Sequence, residues 1–235
     1  MAKAENMTSK LVTVLKNEII GGRMKAGDKL LPLRELALAH HVSRSVVNAA
    51  VSTLSAQGYV RVVPRHHIVV TDFLTTGTLG IVGDVIHSDN KPLQRKLTQD
   101  ALALRLVLTL DAVKTITNNP RISLAPLIRV ADRTLLWLNN PLRDYAKYWK
   151  LNLVFHETIV SLGDNYAYRL LYRNFRYIAD GLVVLVFHNL DFIKVLIQKQ
   201  QLLLAALKDR DEKAAVALCR DLLATGAAET LRSYA

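Results

Sequence analysis

Residues 32–41 read Pro32-Leu-Arg-Glu-Leu-Ala-Leu-Ala-His-His41, and after Val42 residues 43–58 read Ser43-Arg-Ser-Val-Val-Asn-Ala-Ala-Val-Ser-Thr-Leu-Ser-Ala-Gln-Gly58. Proline suits the first turn of a helix, because its fixed φ fits there and its missing N–H has no partner to lose. The first run therefore predicts a short helix ending at His40 or His41. The Ser43 hydroxyl can cap a second helix, and Gly58 can stop it. On that second helix Val47, Ala50, Val51 and Leu54 share one face and would pack inward. Ser43, Arg44, Ser45 and Asn48 lie around the opposite, N-terminal side. Two helices joined through so short a turn make a helix-turn-helix.

The flanks extend the motif. Upstream, Leu11, Leu15 and Ile19 share a helical face, with Thr8 or Ser9 available as a cap and Gly21-Gly22 as a stop. Downstream, strand-like runs at 59–63 and 68–71 are separated by Pro64-Arg65-His66-His67. Three helices and a hairpin predict a winged helix-turn-helix over residues 1–73. Residues 74–90 hold three of the ten glycines in a short polar stretch and read as a linker. No Lys-Ser/Thr follows those glycines, which argues against a phosphate-binding loop.

From residue 91 to 235 the pattern is helical, with six helices expected at 91–118, 121–138, 141–161, 165–187, 190–208 and 211–233. The breaks fall at Asn118-Asn119-Pro120, Asn139-Asn140-Pro141, Gly163-Asp164-Asn165, Asn189 and Asp209-Arg210-Asp211. Such helices bury their apolar stripes only against one another, which predicts an antiparallel bundle. The fold class is mainly α: a winged helix-turn-helix followed by an all-helical bundle.

Composition narrows the function. The chain is 51% hydrophobic and carries 31 Lys+Arg against 20 Asp+Glu, a formal charge of +11. That balance favours a polyanion, either nucleic acid or an anionic membrane surface. Ten Lys/Arg and five Asp/Glu precede residue 76, so charge density is higher in the first part. One cysteine, Cys219, excludes an intramolecular disulfide and fits a reducing compartment. The opening MAKAENMTSK lacks a secretory apolar stretch. No apolar run reaches the ~18 residues a membrane span needs. The expected location is cytoplasmic. Nothing supports catalysis: there is no Gly-x-Ser-x-Gly, and Asp100 and Asp111 share a helical side with nothing to accompany them. No catalytic residue, cofactor or metal site is expected.

The chemistry at the start of the second helix suits DNA. Arginine can bridge two acceptors on guanine, asparagine can read adenine, and serine can contact a base or phosphate. Helix N-termini also offer free N–H groups to phosphates. The segment Ile20-Gly-Gly-Arg-Met-Lys-Ala-Gly-Asp-Lys-Leu-Leu-Pro-Leu-Arg-Glu-Leu-Ala37, with Val42-Ser-Arg44 and Leu54-Ser-Ala-Gln-Gly-Tyr59, resembles the DNA-binding domain of the GntR family over residues 9–72. The resemblance implies DNA contacts from Arg34, Ser43 and Arg44, with Ser45 beside them. The chain departs from the family pattern in three places. Pro32 is shifted by one, Asn48 stands where a base-reading arginine is common, and the wing turn lacks glycine. Arg65 and His66 are the wing residues able to reach the minor groove or backbone.

Phe155-His156, Leu162-Gly-Asp-Asn165 and Ala205-Ala-Leu-Lys-Asp-Arg-Asp211 resemble, more loosely, the effector domain of the FadR branch. Many members of that branch hold a divalent metal with one Asp and three His. Those positions fall here on Asn152, His156, near Gln200 and near Leu222, so the ligand set is lost. The resemblance then points to the metal-free, FadR-like type, whose namesake binds long-chain acyl-CoA. Arg105 interrupts an apolar helix where a charge needs a partner, and it aligns with an arginine of the family cavity. Asn152, His156, Arg176, Tyr177 and Gln200 are further candidates for an effector-binding wall. The alternative is that Arg105 pairs internally, for example with Asp132. The leading expectation is a homodimeric regulator, repressor or activator, that binds a double-stranded operator and responds to a small carboxylate or acyl-CoA. The competing reading is a constitutive regulator or architectural protein without an effector.

Overall fold

The computed structural model describes residues 2–63, 67–173, 189–232 and 234, with side chains from Met7 onward. Two compact units divide the chain, Met1–Gln94 and Arg95–Ala235.

In the first unit, α1 (Ala2–Ile20), α2 (Leu33–Ala39) and α3 (Arg44–Ala56) precede β1 (Val60–Val63) and β2 (His67–Val70). The strands pair antiparallel, with Val60 opposite Val70 and Val63 opposite His67, and Lys29 bridges to Val69. The apolar faces read from sequence form the core: Leu11, Leu15, Ile19, Val47, Ala50, Val51 and Leu54 are buried. His41 takes φ 53° in the turn between α2 and α3. Helix α1 begins at Ala2, ahead of the expected caps Thr8 and Ser9, because Ala2, Lys3, Ala4 and Glu5 are themselves good helix formers.

Where a linker was expected, residues 74–90 fold onto this unit. Helices α4 (Phe73–Thr76) and α5 (Ile81–Ile86) lie there, with Ile81, Val85 and Ile86 buried. The Thr71 and Thr76 hydroxyls both donate to the Gly58 carbonyl, at 2.6 and 2.8 Å. Asp84 accepts from the Tyr59 hydroxyl at 2.9 Å and pairs with Lys16 at 2.8 Å. The Lys16 ammonium also stands 5.3 Å from the Tyr59 ring centre. The Asn90 amide donates to the Ile20 carbonyl at 2.8 Å. A fully buried tyrosine needs a partner for its hydroxyl, and Asp84 supplies it. Glycine content signalled a loop, but the apolar spacing of 81, 85 and 86 decided the packing.

The second unit is helical. Helix α6 (Lys91–Asn118) enters it and is followed by α7 (Ala125–Leu138), α8 (Tyr145–Leu162), α9 (166–173 as described), α10 (Leu190–Lys208) and α11 (Glu212–Arg232). The closest pairings are α10 with α11, α7 with α8 and α10 with α7. Their shared core includes Val113, Ile116, Leu127, Tyr148, Phe155, Ile159, Ile193, Leu203, Leu207 and Leu222. Helices α7 and α8 start four residues later than the sequence suggests. At α8 the Asn140 side chain accepts from the Leu142 N–H and makes a turn, so Asp144 caps the helix by accepting from Ala146 N–H.

Arg210 closes the turn between α10 and α11. At φ 57°, its guanidinium donates to the carbonyls of Ile116, of Ile122 at 2.8 Å and of Pro120 at 3.4 Å. These are carbonyls at and beyond the end of α6 that have no helical partner. Charged hydrogen bonds of this kind contribute roughly 1.5–3 kcal/mol. Arg210→Ala is expected to destabilise the helical unit by about 2–3 kcal/mol, read by tryptophan-monitored urea unfolding. Arg210→Gly should lose most of the same energy although glycine suits the positive φ. A neutral result for the glycine variant would mean that backbone strain, and not the three bonds, sets the effect.

Candidate nucleic-acid interface and the polar cluster of the helical unit

Ser43 precedes α3 in extended conformation and its Oγ accepts from the Val46 N–H at 3.3 Å. The same oxygen lies 2.8 Å from Ser45 Oγ. The hydroxyl of Ser43 is thus occupied in capping, and the pair of serines stiffens the first turn. Arg44, Ser45 and Asn48 are exposed, as is Arg34 on α2. Among the described residues neither Arg34 nor Arg44 forms an ion pair. Arg34, Arg44 and Asn48 line one cleft of about 890 Å³ between α2, α3 and the two strands. Ala49 and Ser52 share the exposed side of α3, and His67 and Val62 stand on the strand side of the cleft. The sequence reading singled out none of these four. Helical spacing from Ser45 and Asn48 gives Ala49 and Ser52, while the cleft wall depends on how the strands pack. Arg65 and His66 lie outside the described residues.

In the helical unit, Arg105 donates from Nε to the Tyr172 hydroxyl at 3.1 Å. No carboxylate pairs with it among the described residues, Asp132 included. Asn152, His156 and Gln200 are all buried, and the Gln200 amide donates to Asn152 Oδ1 at 2.9 Å. His156 Nδ1 and Gln200 Oε1 are buried without a hydrogen-bond partner. Arg105 also lines a groove of about 240 Å³ between α6 and α11, with Arg220 and the apolar side chains of Leu102, Leu106, Leu223 and Leu231. Arg176 and Tyr177 lie outside the described residues.

The groups near Arg105 are held neutral. Burial first, and the Arg105 cation second, push the His156 pKa well below the usual imidazole value. Burial pushes the Cys219 thiol up to about 12, against the opposing pull of Arg105 and Arg220. Burial likewise raises Tyr172, with Arg105 opposing and Glu157 adding a smaller push upward. The cluster therefore sets the Arg105 cation beside His156, Tyr172 and Cys219 held neutral, with Arg220 also on the groove. It does not fit a metal centre. Asn152 Oδ1 is engaged by Gln200, Leu222 is apolar, and no group of three His, Cys, Asp or Glu gathers among the described residues.

A pH dependence follows for the helical unit. Unfolded His156 takes up a proton near pH 6.5, whereas the folded group resists it. Its contribution to stability is present above pH 6.5 and is lost as pH falls below that value toward the depressed folded pKa. Urea midpoints followed by Trp137 and Trp149 fluorescence are expected to drop between pH 7 and 5.5, and His156→Gln is expected to flatten that slope. An unchanged slope in the variant would remove His156 as the cause.

An exposed, capped helix beside a two-stranded wing, joined to a helical unit, is the layout of many DNA-binding transcription regulators. Residues 8–70 match the model of bacterial regulatory proteins of the gntR family, and residues 100–225 match the FCD domain. The chain belongs to the GntR family of regulators, in the FadR-like branch that carries an FCD domain. That is a family of transcriptional regulators and not of enzymes.

Solved structures share the fold along nearly the whole length. One is Lar, said to control the expression of the Listeria monocytogenes agr system and to mediate virulence, at 18% identity over 96% of each chain with a TM-score of 0.62. Another is E. coli McbR/YncC, at 19% identity over 97% of this chain and 99% of that one, TM-score 0.53. A third is a GntR transcriptional regulator from Rhodococcus sp. RHA1, at 17% identity over 96% and 97%, TM-score 0.53. No curated protein matches the chain. No helix among the described residues is long and apolar enough to cross a membrane.

Proposed function

We propose that the chain is a sequence-specific DNA-binding regulator that acts as a homodimer and whose operator affinity is set by a small anionic effector held in the helical unit. The observation that carries the DNA half is the convergence of Arg34, Arg44 and Asn48 on one cleft, all exposed, with neither arginine in an ion pair among the described residues. Phosphate contacts would come from Arg34 and the first turn of α3, base contacts from Arg44, Ser45 and Asn48. Arg65 and His66 extend that set to the wing. Two-fold symmetry places two such helices on half-sites about one helical turn apart.

The effector half rests on Arg105. A half-buried guanidinium hydrogen-bonded to a phenol and, among the described residues, paired with no carboxylate attracts an anion. Asn152, His156 and Gln200 would hydrogen-bond the rest of such a ligand, and Arg176 and Tyr177 are further contacts to test by substitution. Short carboxylates and acyl-CoA are the classes to test. A ligand that favours one arrangement of the dimer shifts the population competent for DNA.

Two assays test the proposal. Footprinting on a selected duplex should show two protected half-sites centred roughly 10–10.5 base pairs apart. Calorimetric titration with carboxylates and CoA thioesters should find a ligand that changes operator affinity, and Arg105→Met should lose it. Binding that survives Arg105→Met unchanged would remove Arg105 as anchor. Equal affinity for random and selected DNA would support the architectural reading instead.

A further inference from the structure

Beyond Arg44, the exposed side of α3 carries no charge. It presents Ser45, Asn48, Ala49, Ser52 and Ala56, that is, one amide, two hydroxyls and two methyls. The Asn48 amide has no hydrogen-bond partner among the described residues, so its donor and acceptor are both free. Ser43 and Ser45 are tied to each other and to the cap. The inward residues Val46, Val47, Ala50, Val51 and Leu54 are buried and fix the rotation of the helix. At about 100° per residue, Asn48 and Ala49 project to either side of the line through Ser45 and Ser52.

We infer that this face reads a half-site in which a guanine under Arg44 is followed, about two base pairs on, by A·T pairs. Asn48 holds an adenine and Ala49 meets a thymine methyl. Four residues of helix advance about 6 Å, close to two base-pair steps of 3.4 Å. Arginine pairs both acceptors of guanine, whereas an asparagine amide matches the N6 donor and N7 acceptor that only adenine offers in the major groove. An exposed alanine has only apolar contact to give, and the thymine C5-methyl is the one apolar group on that floor. A short helix face of small side chains also lets the backbone approach the bases closely. The inference rests on the DNA-binding reading and adds to it the base preference.

The experiment is selection of the full-length protein on a randomised duplex pool, followed by affinity measurements on the winner. The expected consensus has adenine about two positions from an obligatory guanine, with each wrong base there costing roughly tenfold or more in affinity. Asn48→Gln should keep the adenine preference, since glutamine makes the same pair. Asn48→Arg should switch that position to guanine. Replacing the neighbouring thymine by deoxyuracil removes only its methyl; it should weaken the wild type several-fold and leave Ala49→Gly unaffected. A wild-type consensus with guanine at the Asn48 position, or an Asn48→Arg variant with unaltered preference, overturns the inference while DNA binding stands. A pool with no enrichment overturns the DNA-binding reading itself. Circular dichroism of each variant checks that these exposed substitutions leave the fold intact.

Discussion

Arg34→Ala combined with Arg44→Ala is expected to lower affinity for the selected operator by about a hundred- to a thousandfold. Each arginine is exposed and, among the described residues, lacks an ion pair. Their loss should therefore change folding stability by no more than about 0.5 kcal/mol. The free energy they hold in reserve is spent only on DNA. A bidentate base contact is worth roughly 1–3 kcal/mol, and a phosphate contact adds to it and steepens the salt dependence. Arg44→Lys alone should lose about tenfold, because it keeps the charge and loses the planar fork. Fluorescence anisotropy at fixed salt measures both variants. Retention of wild-type affinity by the double variant would place the DNA-contacting surface elsewhere.

Gly58→Ala is expected to destabilise the winged-helix unit by about 2–5 kcal/mol, a large share of what holds a small domain together. Gly58 ends α3 at φ +82°, where an L side chain is strained. An added Cβ would also lie 2.3 Å from the Thr76 carbonyl oxygen and 2.6 Å from Gly77 Cα. Both neighbours are backbone, and the Gly58 carbonyl is itself held by Thr71 and Thr76, so nothing flexible yields. Asparagine tolerates positive φ but carries the same Cβ, so Gly58→Asn should not rescue stability. Gly22, at φ +77° with nothing within 4 Å of its added Cβ, makes the contrast. There alanine should cost only about 1–2 kcal/mol and asparagine less. Both tryptophans report on the helical unit, so hydrogen exchange at the α3 amides is the measurement for this one. Equal costs at Gly58 and Gly22 would show that conformation alone, without the close approach of residues 76–77, sets the effect.

The local signals that proved readable were those with a short-range physical cause. Ser43 caps α3 and Gly58 ends it because both effects are confined to one turn. The apolar spacing of Val47, Ala50, Val51 and Leu54 likewise settles which side of α3 is left to meet a partner. The collar of residues 74–90 was not readable. Its glycines advertised a loop, while the contacts that order it, Asp84 with Tyr59 and Lys16, join residues far apart in sequence. The start of α8 slipped because Asn140 and Asp144 compete for one turn, and that of α7 because Asn119 and Ser123 each accept from an N–H two residues on and hold the chain in turns before Ala125. In the helical unit the isolated Arg105 marked a place where charge meets an apolar face. Its partner Tyr172, and the mutual bond of Gln200 and Asn152, could not be read from residue spacing alone.

Sequence-specific DNA binding by α3 is read out by the ratio of affinities for selected and random duplex of equal length. Full-length protein should bind the selected duplex at least about a thousandfold more tightly at physiological salt, with Arg34→Ala/Arg44→Ala reducing that ratio sharply. A ratio near one, unchanged in the double variant, would mean that α3 does not read DNA sequence.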